Sequence, residues 1–179
     1  MTVINRKLLE QRTIKLAVEN NTVRETVDYK QAKRIGILFS QLDRPKYEAV
    51  RNLAKQLKKD GKNVDVLCYL GKNGENFDFL YNYITSKDVS ILGKMHSGAA
   101  ITFAQQPFDY LFYLDVKRNI YLQNILAMSK AKCRIGVHVK DPEVDKFLEL
   151  MLSFKENQVY SEVVDQIFYY TKKLGCNGN

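Results

Sequence analysis

The chain has 179 residues, of which 45% are hydrophobic, so it can form one domain with a substantial core. It lacks the run of about 18 apolar residues that a membrane span requires. Its first residues, MTVINRKLLEQRTIKL, lack the apolar stretch of a secretory signal. Its three cysteines, Cys68, Cys133 and Cys176, cannot all pair and form no C-x-x-C motif. We therefore expect a cytoplasmic protein with reduced thiols.

The net charge of +8 is unevenly distributed along the chain. The first 142 residues hold 24 Lys and Arg against 14 Asp and Glu, whereas residues 143–179 hold four against six. This excess favours an anionic partner: RNA or a ribonucleoprotein first, then a phosphorylated small molecule or an acidic membrane surface. The alternative is that lysine-rich helix faces only keep the chain in solution.

Residues 2–20 are predicted to form a basic helix, and the polar residues 20–33 connect it to the rest of the chain. The helix has two interpretations: an element packed on the domain edge, or a basic arm that contacts RNA. Its candidate nucleic-acid contacts are Arg6, Lys7, Arg12 and Lys15. The predicted organisation is this segment (1–33), a single domain (34–175) and a short tail (176–179).

Two strand–helix–strand units are predicted. In the first, an apolar strand at 34–40 precedes a helix that Asp43 and Pro45 begin, and a second strand covers 63–70. In the second, strands at 109–114 and 133–139 flank a helix that Asn119 caps. Parallel strands joined by a helix form a right-handed unit.

The remaining segments are less regular. Residues 71–76 indicate a turn, and 88–92 and 99–103 indicate short strands or irregular structure. An aromatic cluster is predicted to cover a sheet edge: Phe77, Phe79, Leu80, Tyr81 and Tyr83. After a turn at Asp141-Pro142, the run 146–154 suits a helix or a buried strand, and we assign a strand; a last helix covers 158–174.

This alternation predicts an open, mostly parallel, Rossmann-like α/β sheet with helices on both faces. Ligands of such sheets bind beyond the carboxyl ends of the strands. The candidate ligand-binding residues at those ends are Ser40, Gln41, Asp115, Lys117, Arg118 and His138, with Asp43 and Lys140 beside them.

The sequence lacks the common cofactor and nucleophile motifs. The turn after the first strand, FSQLDRP, has neither G-x-G-x-x-G nor the Walker GK[ST], and no G-x-S-x-G occurs. His96 and His138 lie 42 positions apart without metal-ligand spacing. We therefore predict no cofactor and no metal.

Asp115 has two interpretations. Its place just past a buried strand suits a catalytic or ligand-binding carboxylate, with Lys117 and Arg118 to keep it ionised. Alternatively, it accepts loop N–H groups of residues 117–119 and helps to start the next helix.

The segments PFDYLFYLD and SKAKCRIGVH resemble a unit in the N-terminal half of the heptosyltransferase-type (lipopolysaccharide core) glycosyltransferases. There, a strand ending in Asp precedes a helix, a small-residue turn and another strand. The chain also resembles, over nearly its full length, an uncharacterised family of small bacterial cytoplasmic proteins. It departs from the enzymes by having Gln41-Leu42-Asp43 where they have Gly-Asp, and 179 residues leave no room for their second, donor-binding domain.

The leading hypothesis is therefore a non-catalytic binding or accessory protein with an anionic partner. The alternative is an enzyme, or half of one, that acts on a phosphorylated or sugar-containing substrate, with Asp115 and Asp43 as acid–base candidates. The loop at 40–45 discriminates between them, because a sugar-nucleotide enzyme needs it open whereas a binding protein tolerates it filled.

Overall fold

The computed structural model describes residues 3–41, 43–71, 81–139, 141–154 and 158–175. The strands are β1 Arg34–Gln41, β2 Asn63–Leu70, β3 Asn82–Ile84, β4 Tyr110–Tyr113, β5 Cys133–Val137 and β6 Leu150–Leu152. The α-helices are α1 Val3–Glu19, α2 Arg44–Lys59, α3 Gly98–Gln105, α4 Ile120–Met128, α5 Pro142–Asp145 and α6 Tyr160–Thr171, and a 3₁₀ turn covers Ser86–Asp88.

The strands form one sheet in the order β3-β2-β1-β4-β5-β6, and all of its described pairs are parallel. From β1 the chain proceeds outwards to β2 and β3, and it then returns to the other side of β1 for β4, β5 and β6. The strand order therefore reverses between β1 and β4, the usual ligand position in doubly wound sheets. This arrangement confirms the predicted open, Rossmann-like α/β fold.

Apolar residues cover both faces of the sheet because side chains alternate along each strand. Ile35, Ile37 and Phe39 of β1 pack on the α2 and α6 side, whereas Leu38 belongs to the core beneath α1, α3 and α4. Each of the four strands in the two predicted strand–helix–strand units contributes a fully buried residue to the core: Leu38, Leu67, Leu111 and Ile135. The continuous apolar runs of the sequence therefore form parallel strands in the centre of the sheet, as predicted.

Helix α1 packs against α4 as part of the domain. Its Leu9 is fully buried, and Asn124 of α4 donates to the hydroxyl of Thr13 at 2.9 Å. Just after the helix, the Asn20 side chain donates to the carbonyl of Ala127 at 2.8 Å. Of the two interpretations of this helix, the structure therefore shows the one in which α1 is packed on the domain.

Two segments differ from the predictions. Residues 99–103 are helical, within α3, because the Ser97 hydroxyl accepts the N–H of Ala100 and caps the helix. Of the predicted strand at 146–154, only Leu150–Leu152 is a strand. The preceding Phe147 and Leu148 are buried in the turns that follow α5, so an apolar run that looked like one strand serves two structures.

Of the two alternatives for residues 88–92, a short strand or irregular structure, the structure shows the second: the segment is the end of the 3₁₀ turn and a loop, closed by an isolated antiparallel bridge between Val89 and Met95. Several predictions lie outside the described residues: most of the turn at 71–76, the tail, and the side chains of Phe77, Phe79, Leu80, Lys140 and Cys176. Among the described helices, none combines the length and the apolar character needed to cross a membrane.

Candidate functional site

Three buried polar side chains meet at the carboxyl ends of β1 and β4, where the strand order reverses. Oδ1 of Asp115 accepts hydrogen bonds from the Ser40 N–H at 3.0 Å and from the Ser40 hydroxyl at 2.9 Å. The Lys46 ammonium contacts the same oxygen and lies 3.4 Å from the Ser40 hydroxyl. The side chains of Lys46 and Asp115 are each only 4% exposed, so the ion pair is shielded from solvent.

The start of α2 brings Lys46 to this position. The Asp43 carboxylate accepts the backbone N–H of Lys46 at 2.8 Å and so caps the helix, and Pro45 occupies the first turn, where no N–H is needed. The first turn of α2 therefore lies directly after the end of β1, and the Lys46 side chain reaches Asp115. Asp43 itself is exposed.

Tyr160 of α6 lies beside the ion pair. Its ring centroid is 5.1 Å from the Lys46 ammonium, and its hydroxyl donates to the Leu114 carbonyl. Burial raises the pKa of Tyr160 well above its usual value, and the negative charges of Asp115 and Asp43 raise it further. Burial also raises the pKa of the Cys68 thiol to about 12. Both groups are therefore neutral at physiological pH, and neither supplies an anionic nucleophile.

Ser40 and Lys46 are close enough to suggest a nucleophile and its base, but their hydrogen bonds oppose that role. The ammonium donates to a carboxylate, the hydroxyl donates to the same oxygen, and Ser40 is only 8% exposed. These hydrogen bonds and the ion pair connect the carboxyl ends of β1 and β4 to the first turn of α2. The sequence predicted hydrogen bonds to Asp115 from the N–H groups of residues 117–119. Its donors are instead Ser40 of β1 and Lys46 of α2, because Asp115 faces the neighbouring strand.

Two of the other predicted ligand-binding residues, Arg118 and His138, pair with residues other than Asp115. Gln41 is buried, and Lys117 is exposed. Arg118 pairs with Glu10 of α1 at 3.1 Å and donates to the Gln123 side chain at 3.2 Å. His138 lies 2.8 Å from the Asp145 carboxylate. No group of three or more potential metal ligands occurs within the described ranges.

Most of the basic side chains proposed for nucleic acid on α1 have partners within the protein. Arg6 pairs with Glu10 at 3.4 Å, and Lys15 pairs with Glu19 at 3.7 Å. Arg12 donates through Nε to the Leu92 carbonyl at 2.8 Å. Lys7 is exposed.

A second basic surface lies at the opposite edge of the sheet, where strands begin and helices end. We call it the amino-edge cluster, and it comprises Lys30, Lys33, Arg34, Lys58, Lys59, Lys130, Lys132, Lys172 and Lys173. Three acidic residues among them form ion pairs, namely Asp109 with Lys132 at 3.5 Å, Asp60 with Lys172 at 3.8 Å and Glu25 with Lys132 at 3.1 Å, and a fourth, Asp28, accepts the backbone N–H of Lys30 at 2.8 Å. Sequence analysis missed this cluster because its members come from distant segments.

The signal for the cluster was nevertheless present. In a doubly wound sheet, helices run antiparallel to the strands, so the last turn of a helix and the first residue of a strand share an edge. Lys58 and Lys59 end α2, and Arg34 begins β1. Each position could be assigned to that edge once the strands and helices were predicted.

The six-stranded parallel sheet and its 3-2-1-4-5-6 strand order define an α/β protein of the Rossmann-like class. Residues 6–174 match the family described as "Family of unknown function (DUF6913)", and the chain belongs to that family. Comparison with curated proteins and with solved structures gives no match. The more specific resemblance to heptosyltransferase-type glycosyltransferases stays a prediction from the sequence.

Proposed function

We propose that this protein is a non-catalytic binding protein for a polyanion, with RNA or a ribonucleoprotein as the first candidate. The observation that carries the proposal is the amino-edge cluster, whose members are mostly exposed and come from several elements. Phosphate backbones bind such clusters through lysine and arginine, with release of counterions.

The carboxyl edge of the sheet supports a non-catalytic role. Both acid–base candidates have structural partners there, since Asp115 is paired with Lys46 and Asp43 caps α2. A general acid or base must reach a substrate proton, and a buried carboxylate oxygen with three donors cannot readily do so. Within the segment 40–45, Ser40 and Gln41 are buried as the last residues of β1, whereas Asp43, Arg44 and Pro45 are exposed.

The cluster is more than the usual preference of lysines for helix ends. The helix dipole favours Lys58 and Lys59 at the end of α2. Lys30 and Lys33, however, lie in the connection before β1, where no helix ends. Their positions are better explained by an anionic partner.

Aromatic rings lie beside the same edge. Tyr169 and Tyr170 of α6 are 53% and 47% exposed, and the Lys173 ammonium lies 4.2 Å from the Tyr169 ring centroid. Exposed rings next to cations are the usual stacking surfaces for unpaired bases. This favours single-stranded RNA over a duplex.

The proposal is tested with a variant that changes Lys30, Lys33, Lys58 and Lys59 to Gln. Its matched control changes Arg6, Lys7, Arg12 and Lys15 to Gln, which removes the same charge from α1. Fluorescence anisotropy with a labelled RNA of about 20 nucleotides at roughly 50 mM salt gives each affinity. We expect the amino-edge variant to bind at least about tenfold more weakly than the control.

Circular dichroism verifies that both variants fold. If the two variants bind RNA with equal affinity, the amino-edge lysines are ordinary solvated residues. If the control loses more affinity than the amino-edge variant, the RNA contacts α1 instead. Binding by neither the unaltered protein nor the control would overturn the proposal.

A further inference from the structure

A cavity of about 340 Å³ lies between α1, α3, α4 and the loop before α3. We call it the α1 pocket. Its walls are largely apolar side chains, namely Leu16, Met95, Ile101 and Met128. Its volume is near the lower end of the range for small-molecule sites.

One polar side chain in its wall, Asn124 of α4, is only 1% exposed and lacks one partner. Its Nδ2 donates to the Thr13 hydroxyl oxygen at 2.9 Å, but no described residue donates to its Oδ1. Thr13 determines the orientation of the Asn124 amide, because the Thr13 hydroxyl donates its hydrogen to the Leu9 carbonyl at 2.8 Å. That oxygen must accept from Asn124, so Nδ2 faces Thr13 and Oδ1 is left as the free acceptor.

A buried acceptor without a donor is destabilising, and native proteins rarely retain one without a reason. A ligand that carries an O–H or N–H group would satisfy Oδ1 from within the pocket. The apolar walls would surround the rest of such a molecule.

The rim of the pocket indicates the charge of the ligand. Arg12, Lys15 and Lys94 line it, against one carboxylate, that of Glu19. Lys15 pairs with Glu19 at 3.7 Å, and both side chains are more than half exposed. The balance at the rim favours an anionic group.

We propose that the α1 pocket binds a small organic acid with an apolar body and one hydrogen-bond donor. The donor faces Oδ1 of Asn124, the body contacts the apolar walls, and the carboxylate or phosphate faces the cations of the rim. This inference goes beyond the proposed polyanion binding, since it uses none of the amino-edge lysines.

Matched acids test the role of the donor. Indole-3-acetate is compared with benzothiophene-3-acetate, in which sulfur replaces the N–H group. Likewise, 4-hydroxyphenylacetate is compared with 4-methylphenylacetate, in which a methyl group replaces the hydroxyl. NMR of the Ile and Met methyl groups reports occupancy through Met95, Ile101 and Met128. We expect at least one donor-bearing acid to give saturable shifts and to bind about tenfold tighter than its partner.

Variants test the two polar contacts. Asn124→Leu should abolish the preference for the donor-bearing acid while retaining the binding of its partner. Lys94→Gln should weaken the binding of indole-3-acetate but not of indole-3-acetamide, whereas Lys87→Gln, which changes an exposed lysine outside the pocket, should alter neither.

Three outcomes would overturn the inference: no acid gives saturable shifts at the pocket methyl groups, both members of each pair bind equally, or Asn124→Leu retains the preference. Equal binding would mean that water alone satisfies Oδ1. The comparison of acids uses the unaltered protein, so it stands even if Asn124→Leu does not fold.

Discussion

Lys46 and Asp115 form a buried ion pair whose members depend on each other. We predict that Asp115→Asn lowers the free energy of unfolding by about 3 kcal/mol, because it leaves the Lys46 ammonium buried without a counter-charge. Urea denaturation followed by circular dichroism measures the loss. A loss below about 1 kcal/mol would show that the pair contributes little.

The double variant Lys46→Met/Asp115→Leu is the control for this prediction. Replacing both charges with apolar side chains of similar size removes the uncompensated charge as well as the pair. The double variant should therefore be more stable than the sum of the single changes implies. Strict additivity would contradict the interpretation.

Asp109 joins the starts of β1 and β4 by accepting the N–H groups of Lys33 at 2.7 Å and Arg34 at 3.0 Å. Burial opposes its ionisation, but these N–H groups and the Lys132 ammonium outweigh burial, so the pKa of Asp109 is lowered. A lowered pKa in the folded state stabilises the protein above the unfolded pKa, near 4, and this contribution is lost as the pH falls through the folded value.

We therefore predict that Asp109→Asn lowers the free energy of unfolding by about 1–2 kcal/mol at neutral pH and that the difference shrinks below about pH 4. Urea denaturation at a series of pH values measures it. Asp65→Asn, on the exposed side of β2, is the control and should have little effect at any pH. A difference for Asp109→Asn that does not vary with pH would refute the role of its charge.

At the residue scale, sequence alone placed Ser40 and Asp115 at the carboxyl edge of the sheet, because each follows an apolar run. It could not predict that they bond to each other, since they lie 75 positions apart. Lys46 was missed because its helical position alone looks like that of any solvated lysine. The cap at Asp43 was the local signal that this lysine begins α2 beside β1.

Among the elements, the loop that contains Gly93 is fitted closely to α1. Gly93 has a φ of +71°, and an added Cβ would lie 2.5 Å from the backbone nitrogen of Leu9. We predict that Gly93→Ala lowers the free energy of unfolding by about 1–3 kcal/mol, through both backbone strain and displacement from α1. Thermal denaturation measures the loss, and hydrogen exchange should show weaker protection in α1.

Gly98→Ala is the matched control, because Gly98 begins α3 and an added Cβ meets nothing within 4 Å. Alanine favours a helix over glycine, so this change should leave stability equal or slightly raised. Similar losses at the two positions would contradict the close fit of the loop to α1.

Elements with a local signal at each end were predicted well. The predicted start of α4 is confirmed, because the Asn119 side chain caps the helix. The strand predicted at 146–154 was too long and α3 was missed, because short apolar runs fit a strand and a buried helix equally well. Neighbouring elements decide between those structures, and a single sequence does not show which elements become neighbours.

For the whole molecule, the uneven charge predicts a salt dependence of RNA binding. Each lysine that neutralises a phosphate of a single strand contributes about −0.7 to the slope of log K against log salt. The variant that lacks Lys30, Lys33, Lys58 and Lys59 should therefore have a slope shallower by about three than the unaltered protein. Anisotropy titrations at several KCl concentrations measure the two slopes. Equal slopes would show that these lysines do not contact the RNA phosphates.

The packing of α1 on α4 also has a consequence for synthesis. Thr13 of α1 and Asn20 just after it bond to residues of α4 that lie 111 and 107 positions later, so α1 is made long before its partner helix exists. At about 5–20 residues per second, that delay is about 5–20 seconds. A lone 17-residue helix is marginally stable in water, and Leu9 has no core to enter during this time. Docking of α1 is therefore a late step in folding, and a ribosome stalled before α4 would hold a nascent chain with that segment accessible to chaperones.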